Sequence, residues 1–315
     1  MSKTPIIIDC DPGHDDAIAI LMAAASDKLD IKGITIVGGN QTLEKCLNNT
    51  LKFLSHLDLH IPVAAGAEGP LLRGLTVAPY AHGDSGMDGP QLPPATQKPV
   101  EMNAVQLMEK IVRESEQKVT LCPMGPLTNI AIFLRANPDL IEKIDKISLM
   151  GGTTLIGNRT PTSEFNIWED PEAADIVFRS GIPLFMQGLD VTYQAGVNDD
   201  EIAQIRAIGN KYSTFVADLL DFFSKYHRNL GRMYTPLHDP CAVAYVIDPD
   251  MFTTEDHYVE IDMDGELTLG TTVTHNFGRC THAPNCTVSL GIDREKFVKL
   301  LFDSLEILGR GGRYA

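Results

Sequence analysis

Four aspartates fall close together near the start of the chain: Asp9, Asp11, Asp15 and Asp16. They flank Pro12-Gly13, where the chain turns. Carboxylates this crowded cannot all stay ionised unaided, because a helix N-terminus stabilises one anion by only about 0.3–1 kcal/mol. Either some take up protons or a cation sits among them. Oxygen donors suit a hard ion, calcium or magnesium. The plainer alternative is that Asp15 and Asp16 cap a helix and Asp9 meets solvent; it leaves Asp11 unexplained. Farther along, Glu164-Phe165-Asn166 places an acid and an amide on one side of the chain if the segment is extended. Such a pair can hold hydroxyls. His238-Asp239-Pro240 sets an imidazole beside another carboxylate at the start of an apolar helix. Tyr226, His227 and Tyr234 lie just upstream and could wall a flat ligand, although aromatics at helical spacing also serve as core.

These residues need elements to position them. Ile6-Ile7-Ile8 reads as a buried strand, and a helix rich in alanine follows from about Asp15. Strand and helix patterns then alternate. Strands are predicted at Ile31–Val37, Ile61–Ala65, Val119–Cys122, Ile144–Met150 and Ile182–Met186. Helices are predicted at Thr42–His56, Ala104–Glu116, from Leu127, after Asp170-Pro171, over 199–230 as one or two, and from Asp239. Tyr258–Asp262 and Leu267–Val273 read as a hairpin around Asp264-Gly265, and Ile292–Leu308 as a terminal helix. Residues 66–100 are loop-like and rich in Gly and Pro, and His82-Gly83-Asp84-Ser85-Gly86 could swing over a pocket. The β-then-α order predicts a single α/β domain over 1–315, with a mostly parallel, Rossmann-like central sheet flanked by helices. Asp11, Asn40, Met124-Gly125, Gly151 and Asp190 all follow strand ends, and in such folds those positions share the ligand-binding rim.

The chain has 315 residues, 43% of them hydrophobic, enough for a sizeable core. A net charge of −16 argues against nucleic acid and anionic membranes as partners. No apolar run is long enough to span a bilayer, and the N-terminus lacks a secretory signal's apolar region. Six scattered cysteines without a C-x-x-C pair fit reduced thiols in a cytoplasm. Cys280, His282 and Cys286 lack a fourth ligand for a zinc knuckle.

The opening from Asp9 to Asn40, with Gly38-Gly39-Asn40-Gln41-Thr42, resembles that of the inosine–uridine-preferring nucleoside hydrolases. Pro126-Leu127-Thr128-Asn129, Leu149-Met150-Gly151-Gly152, Glu164-Phe165-Asn166 with Asp170-Pro171-Glu172-Ala173-Ala174, and His238-Asp239-Pro240 are similar to that family's motifs, in the family's order. Arg206-Ala207-Ile208-Gly209-Asn210 and Leu237-His238-Asp239-Pro240-Cys241 look like its pyrimidine-preferring members. The resemblance implies calcium-dependent cleavage of the N-glycosidic bond of ribonucleosides, cytidine and uridine foremost, for nucleoside salvage. It implies a calcium ion held by Asp11, Asp16, Asp239 and the Met124 carbonyl, with Asp11 also the general base. It implies that Asp15, Asn40, Asn158, Glu164 and Asn166 hold the ribose, with Met150 against the sugar. His238 would help the base depart, and His82 would sit over the pocket. Homotetramers or homodimers are implied as well.

The alternatives are a broad or purine-preferring hydrolase and a non-catalytic ribonucleoside-binding module. The segment Asp9-Cys10-Asp11 is also similar to the first motif of haloacid-dehalogenase-type phosphatases. That reading gives Asp15-Asp16 no task and finds no phosphate-holding lysine.

Overall fold

The computed structural model describes residues 3–275, 278, 280–311 and 314. Its strands are β1 (Thr4–Cys10), β2 (Leu29–Ile36), β3 (Val63–Ala65), β4 (Val119–Pro123), β5 (Ile144–Met150), β6 (Leu184–Gln187), β7 (Gly196–Val197), β8 (Thr235–Pro236), β9 (Phe252–Ile261), β10 (Thr272–His275) and β11 (Cys286–Ile292). Nine of them form one sheet in the order β10-β9-β11-β6-β5-β4-β1-β2-β3, and β7 pairs with β8 in a small ribbon. From β3 across to β11 every pairing is parallel; β9 and β10 add antiparallel strands at one edge.

The reason β1 lies inside is visible in its residues. Ile6, Ile7 and Ile8 are all buried, as a strand covered on both faces requires. One face carries the helices His14–Ala25, Leu43–Leu57, Lys211–Asn229, His238–Ile247 and Arg294–Gly309; the other carries Ala104–Glu114, Thr128–Ala136 and Pro171–Phe178. The helix His14–Ala25 has all twelve residues buried, wedged between the sheet and the helices that follow His238 and Arg294. The chain leaves β1 toward β2 on one side and returns to β4 on the other. That reversal opens a crevice beyond the carboxyl ends of β1 and β4, where open α/β sheets bind ligands.

Several expectations shift. The strand at Tyr258–Asp262 starts earlier, at Phe252, because the polar run Thr253–Asp256 pairs with β11. The Leu267–Val273 strand is displaced to Thr272–His275, and Leu267 is 81% exposed in the connection. Asp262 organises that connection by accepting from the amides of Asp264 and Gly265 and from the Thr268 hydroxyl, so the turn is longer than a two-residue hairpin. Strand β11 went unforeseen, and the terminal helix starts at Arg294, capped by Asp293, rather than at Ile292. Residues 199–230 divide into helices Asp199–Ala207 and Lys211–Asn229, each capped by an asparagine side chain.

Candidate active site

The floor of the crevice is built by two helix N-termini. The turn after β1 delivers Asp11, Asp15 and Asp16; the start of the His238–Ile247 helix delivers Asp239. Asp15 joins the two, its Oδ2 accepting from the backbone amides of His238 at 3.1 Å and Asp239 at 3.4 Å. Asp16 Oδ2 accepts from the Gly13 amide at 2.8 Å, capping its own helix. Asp11 Oδ2 accepts from the Asn40 amide at 2.6 Å. Asp11 Oδ1 and Asp16 Oδ1 are buried without a partner among the described residues, as is Asp9 Oδ2 behind them. Room for the Asp11 carboxylate comes from two glycines. A Cβ on Gly39 would lie 2.1 Å from Oδ2, and one on Gly125 would lie 2.7 Å from Oδ1.

Burial and mutual repulsion push these acids up. Asp15 rises to about 7, and Asp11 and Asp239 stand well above the usual carboxylate range. Asp15, Asp16 and Asp239 each offer an oxygen within 4.8 Å of the others. This tightest trio contains Asp15 where the expected set had Asp11, although Asp11's charge bears on Asp16 and Asp239. The donor set is all oxygen, and two buried oxygens lack partners, so the residues fit a hard divalent cation. Asp9 stands behind them. Its Oδ1 accepts from the Thr35 hydroxyl at 2.6 Å and the Asn129 amide group at 2.8 Å. Burial pushes Asp9 up to about 7, and these two partners give its Oδ1 a structural task behind the cluster.

One wall of the cleft carries Asn40, Asn158, Glu164, Asn166 and Met150. Glu164 does not lie in an extended segment. It caps the short helix Phe165–Glu169, Oε1 accepting from Asn166 N and Oε2 from Ile167 N and Gly152 N. Asn166 Nδ2 donates to the Met124 carbonyl at 2.8 Å, tying this wall to the end of β4. Asn158 Oδ1 accepts from Phe165 N at 2.9 Å. Asp190, another residue at a strand end, accepts from the Thr154 amide and hydroxyl and pins the loop leading to Asn158.

The rest of the lining is largely aromatic. Phe223, Tyr226 and His227 share one face of the Lys211–Asn229 helix, and Tyr80, His82, Phe165, Tyr193, Leu230, Arg232 and His238 complete the cavity of about 310 Å³. Tyr234 does not join them; its ring lies under the Arg294 guanidinium, 4.2 Å from ring centre to Cζ. Tyr193, stacked on Arg232 at 3.6 Å, was missed because only the fold brings its segment to the 226–234 stretch. Phe223 carried a signal, standing three and four residues before Tyr226 and His227.

His238 Nδ1 lies 2.7 Å from the Thr192 hydroxyl, which fixes its ring. His14 Nε2 lies 2.8 Å from the Asp88 carbonyl and must donate to it. Burial holds His14 down at about 4, so it is neutral and its Nδ1 accepts. His82 Nδ1 lies 3.2 Å from that nitrogen and accepts, at 3.5 Å, from the His14 backbone amide. Two larger hollows, about 550 and 590 Å³, lie elsewhere, and among the described residues no buried unpartnered polar atom lines either. Cys280 Sγ and His282 Nδ1 are 4.0 Å apart, whereas Cys286 is buried in β11, so no zinc knuckle forms among the described residues.

A mostly parallel sheet with a buried carboxylate cluster and a cleft lined by Asn, Glu and aromatic side chains at its switch point defines a ligand-binding α/β protein. The family model of the inosine–uridine preferring nucleoside hydrolases matches residues 6–299, and the chain belongs to that family. It is 50% identical over 305 residues to a pyrimidine-specific ribonucleoside hydrolase, RihA, of Escherichia coli O1:K1, covering 96% of this chain and 98% of that one. A purine-preferring ribonucleoside hydrolase from Gardnerella vaginalis superposes with a TM-score of 0.91 at 32% identity, covering 98% of this chain and 99% of that one. A plant nucleoside hydrolase gives 0.90 at 30% identity, covering 97% and 99%.

Proposed function

We propose that this chain hydrolyses the N-glycosidic bond of pyrimidine ribonucleosides, releasing free base and ribose for nucleoside salvage. The observation that carries the reading is the carboxylate floor with two unpartnered oxygens, set against a wall of Asn40, Asn158, Glu164 and Asn166. Asp11, Asp16, Asp239 and the Met124 carbonyl would hold a calcium ion, with Asp15 beside them. When bound, the cation neutralises the carboxylates and acidifies water. Asp11 Oδ1 accepts the proton of the attacking water as its oxygen bonds to C1′ and the C1′–N bond breaks. The surrounding carboxylates stabilise the positive charge that develops on the sugar. Asp15 and the Asn/Glu wall fix the ribose hydroxyls, supplying orientation. The base departs with the bond's electron pair. His238 lies against Thr192 and is pushed down to about 3 by burial, then by His227 and Arg232. As a neutral imidazole it assists by donating a hydrogen bond.

The pyrimidine preference rests on the 50% identity to the pyrimidine-specific relative; the purine-preferring structural neighbour, at 32%, supports the second reading. A one-domain chain, a cytoplasmic location and a homodimer or homotetramer belong to the same proposal, the last testable by light scattering. The deciding experiment is base release from uridine, cytidine, inosine and adenosine with calcium present. Faster turnover of the pyrimidines supports the proposal, and a clear inosine preference replaces it with the purine reading. Nucleoside binding without cleavage would make the chain a binding module.

A further inference from the structure

Among the described residues that line the cleft, His227 is the one whose buried side-chain polar atoms have no hydrogen-bond partner. His227 is 4% exposed and lines the cavity, and neither Nδ1 nor Nε2 meets a partner among the described residues. Leaving a buried polar group unpaired is costly, and Leu or Phe would fill this helix face without that cost. Each neighbouring imidazole has its Nδ1 engaged within the protein: His82 with His14, and His238 with Thr192. Phe223 and Tyr226 hold the His227 ring edge-on, with centroids 4.6 and 5.1 Å away, and the His238 ring centre is 6.3 Å off. Burial and the Arg232 charge keep His227 neutral, pushing it down to about 3. A neutral imidazole carries one donor and one acceptor. No protein partner decides which nitrogen carries the hydrogen.

We propose that His227 is the specificity residue that hydrogen-bonds the 4-substituent of a pyrimidine base. This rests on reading the chain as a pyrimidine ribonucleoside hydrolase, and it explains how one site accepts two bases of opposite polarity at that position. Uracil presents an acceptor, its 4-carbonyl; cytosine presents a donor, its 4-amino group. An uncommitted tautomer donates to the first and accepts from the second. A lysine or a carboxylate here would favour one base over the other.

The test compares kcat/KM for uridine, cytidine and 4-deoxyuridine, whose base bears only hydrogen at position 4. The proteins are wild type, His227→Phe, His227→Leu and His227→Gln, with folding checked by circular dichroism. Comparing ratios between proteins cancels intrinsic differences in leaving group. Wild type is expected to favour uridine and cytidine over 4-deoxyuridine. His227→Phe is expected to shrink both preferences by about 10–100-fold, as losing a hydrogen bond to a buried group implies. His227→Gln, which keeps a donor and an acceptor, restores part of them. An unchanged ratio in His227→Phe overturns the proposal, and His227→Leu carries the same comparison if the Phe variant does not fold. If wild type cleaves none of the three, the pyrimidine reading fails and the proposal with it; cleavage with unchanged ratios removes only the role of His227.

Discussion

Replacing Gly39 with alanine presses on Asp11 without deleting any functional group. The new Cβ would stand 2.1 Å from Asp11 Oδ2, 2.9 Å from its Cγ and 2.8 Å from Pro126 Cδ, where ordinary contacts begin near 3.4 Å. The carboxylate must therefore retreat by about 1 Å, since carbon–oxygen contacts rarely close below about 3.3 Å. Retreat stretches the 2.6 Å bond from the Asn40 amide and moves Oδ1 toward the Gly125 backbone. A displacement of about 1 Å at a reacting group costs on the order of 10²-fold in rate, while overpacking costs about 1–3 kcal/mol of stability. The expected variant is folded, with kcat on uridine down by about two orders of magnitude at saturating calcium. Gly74→Ala is the control, because a Cβ there meets nothing within 4 Å. A folded Gly39→Ala protein with wild-type turnover would refute the placement of Asp11 as the base.

Three further outcomes are expected. Asp15 lies at about 7 in the folded chain against an ordinary 3.8, and Asp11 and Asp239 are raised as well. Their protonated forms stabilise the metal-free fold below about pH 4, and that contribution is lost as pH rises through 7. Added calcium should therefore raise Tm far more at pH 8 than at pH 5, and equal shifts in a thermal melt at both would sink the cation site. His238→Ala should slow uridine hydrolysis by about 10²-fold, the lower end for acid–base help since the ring is already neutral, while largely sparing p-nitrophenyl riboside, whose leaving group needs little assistance. Equal losses on both substrates would rule out a role at the departing base. Finally, 2′-deoxyuridine should be turned over at least about 10²-fold less efficiently than uridine, because buried groups of the Asn/Glu wall lose a partner. Comparable kcat/KM for the two nucleosides would contradict that wall's assignment to the ribose.

The site was legible where its residues are contiguous. Asp11, Asp15 and Asp16 sit on one strand–turn–helix unit, and local pattern alone places them together. Asp239 stood out as an acid at the start of an apolar helix, where the structure places it in the first turn rather than at the cap, which is Leu237. Legibility failed where geometry depends on long-range packing. Tyr193 enters the cleft from the far end of β6, and Arg232 reaches it from the connection before β8, so no spacing relates them. Tyr234 misled because it follows Tyr226 and His227 in sequence, yet Arg294 on the last helix takes its ring. Glutamate is an uncommon helix cap, so Glu164 read as part of an extended pair. Strand β11 was hidden by Pro284 before it and Gly291 within it, and it exists because β6 and β9 leave a gap for it to fill.

The helix that follows the first aspartates has no free face. Local fraying there would open the whole interior, so its amides should exchange with solvent only through global unfolding. Tyr80, His82, Leu230 and Arg232, on the aromatic side of the cleft, are anchored differently. Residues 69–103 hold no regular structure beyond the single turn Pro79–His82, and residues 230–234 link a helix to a two-residue strand. Substitutions can accumulate in those segments without disturbing the acids underneath. A lineage carrying this architecture can change which base it releases by drift at the periphery, while the bond-breaking step stays locked to the integrity of the fold itself.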